Sequence, residues 1–538
     1  MNYFVRLFLC LFVLFSSISN VNANDINEII TALQKAKFSE KESLLSKLGD
    51  IQNKESLSIL KYLEAGKLYY IKSNKKNVYA EKVDKNYQIK DLFSKEDLGL
   101  VKKNKIKRIS LNNKLRKFTR TLIARSSLKS DDYKIRIESV RTIFESNSIG
   151  LLPLINDAIE TEKNKTVIKE LFKTKYSLNL QSDNKELVNE SLDFLSETAD
   201  PSILSVVNKF IQKYEPEGKF KEEVLKAHEV KEKIKNEIKF YKFIENLFFG
   251  LSLGSVLFLA AVGLAITFGV MGVINMAHGE MIMIGAYATY VTQLIFPNLI
   301  EYSLFFAIPF SFLIAGLIGI LIERLVIRHL YGRPLETLLA TFGISLFLQQ
   351  LVRSIFSPIN MPVSSPQWMS GMFEIHPALA LSYGRLYILV FSILVFVFLL
   401  ILFKKTYFGT QMRAVMQNRS MARAMGIKTN WIDSLTFGLG SGIAGIAGVA
   451  LSQITNVGPN LGQSYIIDCF MVVVFGGVGN LWGTITGAFL LGVGNKFIEP
   501  FSGAVLAKII TLIFLILFIQ KRPKGMFALK GRAAETNQ

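Results

Sequence analysis

Hydrophobic and polar residues divide this chain into two parts of contrasting pattern. Residues 24–242 are polar and rich in lysine, and their apolar residues recur at helical spacing, whereas residues 246–530 consist largely of long apolar runs interrupted by glycine. An apolar run of about 20 residues is long enough to span a bilayer as a helix. The pattern predicts an all-α protein, with a helical domain over 24–242, a polytopic helical membrane domain over 246–530 and a short cytoplasmic tail over 531–538.

The membrane domain divides into about seven to nine Gly-rich spans. Two of the predicted segments are short and interrupted by glycine, which makes one of them a candidate re-entrant segment. The predicted spans cover residues 247–271, 276–296, 303–323, 334–355, 386–403, 431–455, 465–480, 483–499 and 502–520.

The first 23 residues have the pattern of a secretory signal peptide. Arg6 precedes an apolar run from Leu7 to Phe15, and Val21-Asn-Ala23 is a small-x-Ala cleavage pattern. We therefore expect residues 1–23 to be removed and the helical domain to be exported. An uncleaved anchor helix is the alternative.

Positive charge in the connecting loops predicts the orientation of the membrane domain. Loops rich in Lys and Arg stay in the cytoplasm, and three segments qualify: the loop with Arg324, Arg328 and Arg333, the loop from Lys404 to Lys428, and the tail from Lys521. The loops between them carry almost no positive charge. The chain is therefore predicted to lie in a bacterial inner membrane with its N-terminal domain in the periplasm and its C-terminus in the cytoplasm.

A repeated pattern in the polar part predicts helix pairs. Apolar residues around Glu138-Ser139 recur in the same order around Glu190-Ser191, and each set fits a helix, a short turn and a second helix. Units of this kind bury their apolar faces against their neighbours, as in HEAT-type solenoids. We therefore expect a HEAT-like helical-repeat domain; chance similarity between apolar helices is the alternative.

Composition narrows the function classes. The net charge of +20 comes from lysines scattered without a basic stripe, which argues against a nucleic-acid partner and leaves the lipid bilayer as the expected one. Cys10 lies in the predicted signal peptide and Cys469 in an apolar run, so the mature chain cannot form an internal disulfide. With only four histidines, a metal site is not expected.

Polar residues inside the apolar part are candidates for a translocation path, because such residues are costly in lipid unless they face a cavity or a partner. Thr337, Thr341, Ser345 and Gln349 recur every four residues on one predicted helix, and Asn275, His278 and Glu280 lie at the start of another. A stripe of this kind suits a neutral, hydrogen-bonding solute. Hydrogen bonding between helices is an equally weighted alternative.

The loop from Gly409 to Gly426 combines basic and flexible apolar residues, which is typical of a docking segment for a cytoplasmic partner. Asn418 is suited to cap a short helix and Gly426 to end it. The candidate docking residues are Arg413, Gln417, Asn418, Arg419, Met421, Arg423 and Gly426. A basic loop resting on lipid headgroups is the alternative. The chain has no Gly-x-x-x-x-Gly-Lys-Ser/Thr motif, so any ATP that drives transport is expected on another polypeptide.

Four blocks of residues resemble the permease subunits of the ABC importers for branched-chain amino acids and urea. They are Gly269-Val-Met-Gly-Val-Ile-Asn275-Met-Ala-His278-Gly279-Glu280, Leu339-Ala-Thr341-Phe-Gly343-Ile-Ser345-Leu-Phe-Leu-Gln349, Met412-Arg413-Ala-Val-Met-Gln417-Asn418-Arg419 with Met425-Gly426-Ile, and Val474-Phe-Gly476-Gly477-Val-Gly479-Asn480. The urea-type subunit of this class is similar in having a signal peptide and a long exported helical domain. The resemblance therefore predicts urea as the solute, with a branched-chain amino acid or a short-chain amide as the alternative.

The resemblance also implies partners and a mechanism. It implies alternating access without covalent chemistry, hence no enzymatic activity and no cofactor bound by this chain. The implied partners are a second related permease, two cytoplasmic subunits that bind ATP, and a periplasmic solute-binding protein. The loop from Gly409 to Gly426 would contact the ATP-binding subunits. Apart from the resemblance, Gly476, Gly477 and Gly479 permit a broken helix at mid-membrane depth, where transporters often place solute contacts, so they join the candidate path; tight packing of helices is the alternative. A stand-alone channel or carrier is the alternative from a different class.

Overall fold

The computed structural model describes residues 23–527, apart from 52, 84, 85 and 199. Residues 1–22 of the predicted signal peptide and the predicted tail over 531–538 lie outside the described residues. The chain divides into two compact units, Met1–Asn236 and Glu237–Gln538, and the division falls inside a helix that runs from Lys221 to Met271.

The first unit contains nine helices in its described part, followed by the start of α10. They are α1 (Ala23–Lys35), α2 (Phe38–Asp50), α3 (Lys54–Glu64), α4 (Asn113–Ser127), α5 (Tyr133–Ser146), α6 (Leu152–Thr161), α7 (Lys165–Asn179), α8 (Lys185–Ser196), α9 (Pro201–Tyr214) and α10 (Lys221–Met271). Side chains placed just before the helices explain where several begin. Asn112, Asp132, Asn164, Asn184 and Asp200 each accept a hydrogen bond from a backbone N–H of the first turn that follows.

The two predicted helix pairs are present as α5 with α6 and α8 with α9. Ile143 and Ile155 of the first pair, and Leu192 and Val207 of the second, are fully buried. Helix α7 lies between the pairs in sequence, and its Lys173 forms an ion pair with Asp200 at the start of α9, at 2.9 Å. The helix–turn–helix units predicted from the sequence therefore exist, while their likeness to HEAT repeats stays a prediction.

A five-stranded antiparallel sheet is the part of this unit that the sequence analysis missed. Its strands are β1 (Leu68–Ile71), β2 (Asn77–Val83), β3 (Asn86–Asp91), β4 (Asp97–Lys102) and β5 (Ile106–Arg108), in the order β4-β3-β2-β1-β5. Its buried face holds Val78, Ala80, Ile89 and Ile106. Strands of three to seven residues contribute at most three buried positions each, too few to show as an alternating pattern.

The second unit is almost entirely helical. It contains the remainder of α10 and then α11 (His278–Ile295), α12 (Ser303–Leu325), α13 (Pro334–Phe356), α14 (Tyr383–Lys405), α15 (Tyr407–Gln417), α16 (Arg419–Ala424), α17 (Thr429–Ser452), α18 (Leu461–Gly476) and α19 (Leu481–Lys521). A hairpin of β6 (Met372–His376) and β7 (Leu379–Ser382) precedes α14. Short 3₁₀ turns occupy Lys103–Lys105, Ile149–Leu151, Pro297–Tyr302, Ile327–Leu330 and Gln367–Met369 across the two units.

Six helices in the described part are long and apolar enough to cross a membrane, which confirms an all-α polytopic membrane protein. The last of them, α19, covers both of the final predicted spans as two helical segments, which meet at a kink at Gly503, a non-helical residue with φ 79° and ψ 164° close to Pro500. Helix α18 is apolar but only 16 residues long. The exact number of crossings stays a prediction.

Close helix contacts through glycine define the centre of this unit. Helix α17 packs against α11 and α12, and a Cβ atom at Gly285 of α11 would overlap the backbone of Gly445 on α17. A Cβ at Gly445 would in turn lie 2.7 Å from the carbonyl oxygen of Ser311 on α12. These positions therefore need glycine because backbones approach each other directly, as expected for small residues between membrane helices.

Candidate functional site

A buried polar junction joins α11 to α13. The Glu280 carboxylate accepts two hydrogen bonds on Oε1, one from the hydroxyl of Ser345 at 2.9 Å and one from the side-chain amide of Gln349 at 2.8 Å. The three side chains are 1 to 7% exposed. The other carboxylate oxygen, Oε2, has no hydrogen-bond partner among the described residues. Two donors on one oxygen leave the other able to accept a hydrogen bond from a solute.

The other two residues of the predicted stripe on α13, Thr337 and Thr341, form hydrogen bonds with other residues of the chain. The Thr341 hydroxyl accepts a hydrogen bond from the backbone N–H of Met276, which precedes α11, at 3.1 Å. Thr337 donates to the carbonyl oxygen of Arg333, one turn earlier, and the Asn275 side chain accepts from the N–H of Ala277. All are buried. The structure thus favours hydrogen bonding between helices for most of the stripe.

His278 points away from that junction. Its Nε2 lies 2.8 Å from the carbonyl oxygen of Ala260 in α10, and its Cε1 faces Gly263. Since both residues lie well inside the apolar part of α10, α11 begins deep in the apolar unit, not at its edge. His278 and Glu280 therefore contact different helices, as expected for residues two apart on a helix.

The predicted glycine cluster lies at another place, the turn between α18 and α19. Gly476 packs against Gly483, and Gly477 and Gly479 have positive φ angles of 104° and 78°. Gly479 contacts Gly269 near the end of α10, and Gly477 contacts the backbone at Phe527. In this structure these glycines form a tight turn, and they are not part of the Glu280 junction.

The predicted docking loop folds into two short helices, α15 and α16. Asn418 accepts a hydrogen bond from the N–H of Met421, and Gly426, with a φ of 87°, follows the end of α16, so both predicted helix signals are confirmed. Met412 and Val415 are buried, whereas Met421 and Met425 are 60 and 78% exposed. Only the second pair of apolar side chains is therefore available to a partner.

The basic residues of the loop differ in their contacts. Arg413 donates to the carbonyl oxygen of Phe403 and to Thr410, and Arg423 donates to Thr429 at 3.2 Å. Gln417 is exposed. Arg419 is held more firmly, because its guanidinium forms a two-point ion pair with Asp433 of α17. The exposed face of the loop therefore includes Arg413, Gln417, Met421, Arg423 and Met425.

Two features of the apolar unit escaped the sequence analysis. Asp468 of α18 forms an ion pair with Lys508 of α19 at 2.8 Å, and Tyr287 of α11 is buried with no partner for its hydroxyl among the described residues. The lone acid in α18 and the lone lysine in the last predicted span were the available signal for the first feature. Tyr287 gave none, because buried tyrosines are common.

No group of three metal-ligating side chains occurs in the part of the chain that the structure describes. The buried polar groups are instead arranged as pairs and small networks between helices. Such an arrangement can hold a solute through hydrogen bonds.

Known proteins that are similar to this chain are components of transport systems. Residues 246–519 match a family described as the permease component of branched-chain amino acid transport systems. The high-affinity branched-chain amino acid transport system permease protein BraD of Pseudomonas aeruginosa is 31% identical over 296 residues, covering 53% of this chain and 96% of BraD. LivH of Escherichia coli, another such high-affinity permease, is 29% identical with the same coverage. A probable LivH of Methanocaldococcus jannaschii is 27% identical over 51% of this chain and 88% of its own length.

No solved structure matches the chain. The family match begins at residue 246 and extends across the apolar unit, and the matched proteins are permease components of transport systems. Together with the apolar helices, the match indicates a multi-pass inner-membrane protein. The chain therefore belongs to the family of permease components of branched-chain amino acid transport systems.

Proposed function

We propose that this chain is the permease subunit of an ATP-driven importer of branched-chain amino acids and forms a translocation path by alternating access. The names of its relatives support this solute class. In this proposal the chain works with a second related permease, two cytoplasmic ATP-binding subunits and a periplasmic solute-binding protein. The first unit lies in the periplasm and the C-terminus in the cytoplasm.

The Glu280 junction is the observation that carries the solute class. An amino acid brings a positively charged ammonium group, and the buried Oε2 atom of Glu280 has no hydrogen-bond partner among the described residues. A cation placed beside a carboxyl group favours its ionised form. A charged acceptor forms stronger hydrogen bonds with an ammonium group than with a neutral amide. The expectation of a neutral, hydrogen-bonding solute, drawn from the polar stripe, stays a prediction.

The loop of α15 and α16 is the proposed contact for the ATP-binding subunits. Its exposed methionines lie beside Arg423 and Gln417, so the surface combines flexible apolar contacts with a positive charge. Such a surface fits a groove with acidic residues at its rim. ATP itself is bound by the partners in this proposal.

Urea is the second candidate solute. The family match begins at residue 246, so it does not account for the first unit of this chain. A long exported domain is the feature by which the chain resembles urea-type subunits. Urea also donates hydrogen bonds, and Glu280 is able to accept them, although urea has no charge to complement.

Uptake by cells with and without this gene tests the proposal. We expect labelled leucine at low external concentration to enter only when the gene is present, and an excess of unlabelled urea to leave this uptake unchanged. The variant Glu280→Gln keeps an acceptor for Ser345 and Gln349 but loses the charge. We expect it to lower leucine uptake by about 10- to 100-fold, the range of a charged hydrogen bond.

Gly343→Ala is the matched control for expression and insertion, because nothing lies within 4 Å of a Cβ at that position. It should transport leucine like the wild type. Gene-dependent uptake of labelled urea without leucine uptake would show that the amino-acid proposal is wrong and that the second candidate is right. Normal leucine uptake by Glu280→Gln would remove Glu280 from the path.

A further inference from the structure

Arg419 is the point at which three elements of the apolar unit meet. It is the first residue of α16, its Nη1 donates to Oδ1 of Asp433 at 2.9 Å, and its Nη2 pairs with the second carboxylate oxygen. The face of its guanidinium lies 4.0 Å from the ring centroid of Tyr331, in the connection between α12 and α13. One side chain thus holds the loop, α17 and the α12–α13 connection together.

The burial of this contact makes it stiffer than an ordinary surface ion pair. The Asp433 side chain is 3% exposed and that of Arg419 is 21% exposed. Two parallel hydrogen bonds fix the orientation as well as the distance, and stacking on Tyr331 uses the flat face of the same group. Lysine cannot make this combination, because its ammonium group has neither the fork nor the flat face.

The other arginines of the loop do not connect three elements as Arg419 does. Arg413 is bonded to Phe403 and Thr410, residues of the preceding helix and its own. Arg423 touches α17 only through a neutral hydrogen bond to Thr429, at 3.2 Å. Arg419 is therefore the one basic residue of the described loop that forms an ion pair with α17.

A continuous set of packed groups leads from Asp433 to the Glu280 junction. Asp433 lies near the start of α17, and further along the same helix Gly445 and Gly448 touch the backbone of α11. Helix α11 carries Glu280. Because these contacts are between backbones, α17 has little room to move without displacing α11. Coupling between distant sites needs a contiguous path of this kind together with elements that change position.

We propose that Arg419 is the positioning residue that converts a displacement of the α15–α16 loop into a displacement of α17 and, through α17, of α11. The inference rests on the proposed function, because it needs a partner that moves the loop. Arg419 contacts no solute. It determines how much of the loop's movement reaches the helix that bears Glu280.

Arg419→Lys is the test variant, since it keeps the charge and removes the fork and the stacking. Arg333→Lys is the matched control outside the docking loop, because its exposed guanidinium lies on the α12–α13 connection and forms a surface ion pair with Glu336. Each variant is assembled in full with its partner subunits, and leucine or urea transport, whichever the wild type shows, is measured together with ATP hydrolysis. We expect Arg419→Lys to lower the number of solute molecules moved per ATP by about tenfold or more, with KM for the solute unchanged, while Arg333→Lys stays near the wild-type ratio.

A distance measurement makes the test independent of the solute. Spin labels on cysteines introduced at Leu294 of α11 and Ile355 of α13 are accessible, since both side chains are at least 60% exposed, and Cys469 is fully buried. Nucleotide binding should change this distance in the wild type and in Arg333→Lys, but not in Arg419→Lys. An unchanged response in Arg419→Lys would overturn the inference, as would transport and hydrolysis falling in equal proportion.

Failure of the proposed function gives a different result. In that case the wild-type chain itself neither co-purifies with ATP-binding subunits nor shows a distance change with nucleotide, and the inference about Arg419 falls with it. If the wild type shows the distance change with nucleotide and Arg419→Lys retains its bound partners, the response of Arg419→Lys tests the role of Arg419 and not the proposed function.

Discussion

Single side chains in both units are held by contacts that the sequence does not reveal. In the first unit, Arg136 and Glu162 form a two-point ion pair, at 2.6 and 2.9 Å, and Glu162 also accepts hydrogen bonds from the N–H groups of Lys163 and Asn164. The hydrogen bond from Arg136 is the main reason why the pKa of Glu162 is lowered from 4.5 to about 2. This pair fixes the end of α6 against the start of α5.

The shift of Glu162 predicts a pH-dependent stability. Because its pKa is lower in the folded chain than in the unfolded one, the pair stabilises the fold fully above about pH 4.5 and loses its effect as the pH falls towards 2. Glu162→Gln should therefore reduce the free energy of unfolding by about 1 to 3 kcal/mol at pH 7 and hardly at all near pH 2. Hydrogen exchange of α5 and α6 in the full chain measures this, with the exposed Glu160→Gln as the control. Equal effects of the two variants, or no dependence on pH, would contradict the prediction.

At this scale the sequence indicated residue types but not their partners. Glu280, Ser345 and Gln349 were all picked out as intramembrane polar groups, yet only the structure shows that they contact one another. The same holds for Arg419 and Asp433, which belong to different helices, and for Asp468 and Lys508. Pairing across helices depends on how the helices pack, and periodicity along one helix carries no information about that.

Helices of the apolar unit were largely predictable, because each needs a long apolar run and clear ends. The bounds of α12 and α13 lie within two residues of the predicted spans. The kink at Gly503 of α19 lies at the boundary between the two final predicted spans, 483–499 and 502–520. Helix α11 begins well inside the unit, where His278 contacts Ala260. The small sheet was missed because its strands are too short to show a period.

Glycine contacts between helices lead to a prediction at this scale. Gly285→Ala introduces a methyl group that overlaps the backbone of Gly445, so α11 and α17 must separate. Gly343→Ala adds the same methyl group in open space on α13, where replacing glycine in a helix should stabilise it by about 0.5 to 1 kcal/mol. We expect the first variant to lower the melting temperature of the purified chain in detergent and the second to leave it unchanged or raise it. Similar melting temperatures would mean that α11 and α17 do not pack as closely as the structure shows.

Across the whole molecule, family membership, the buried Glu280 junction and the loop of α15 and α16 point to the same activity. The family match covers the apolar unit, so the first unit is the part of the chain that the relatives do not explain. Length and apolar pattern indicated a transport protein and its membrane domain. The choice of solute could not be made from those features, because the same framework can hold different solutes through a few side chains.

The central claim is that this chain forms the path of an ATP-driven importer of branched-chain amino acids. It is tested most directly with the importer purified around this chain and reconstituted in liposomes with its solute-binding protein. Accumulation of labelled leucine is then measured with and without ATP. We expect accumulation against the gradient only with ATP, and none from an otherwise identical assembly that lacks this chain. Leucine entry that is the same without ATP, or no entry under any condition while urea accumulates, would contradict the account.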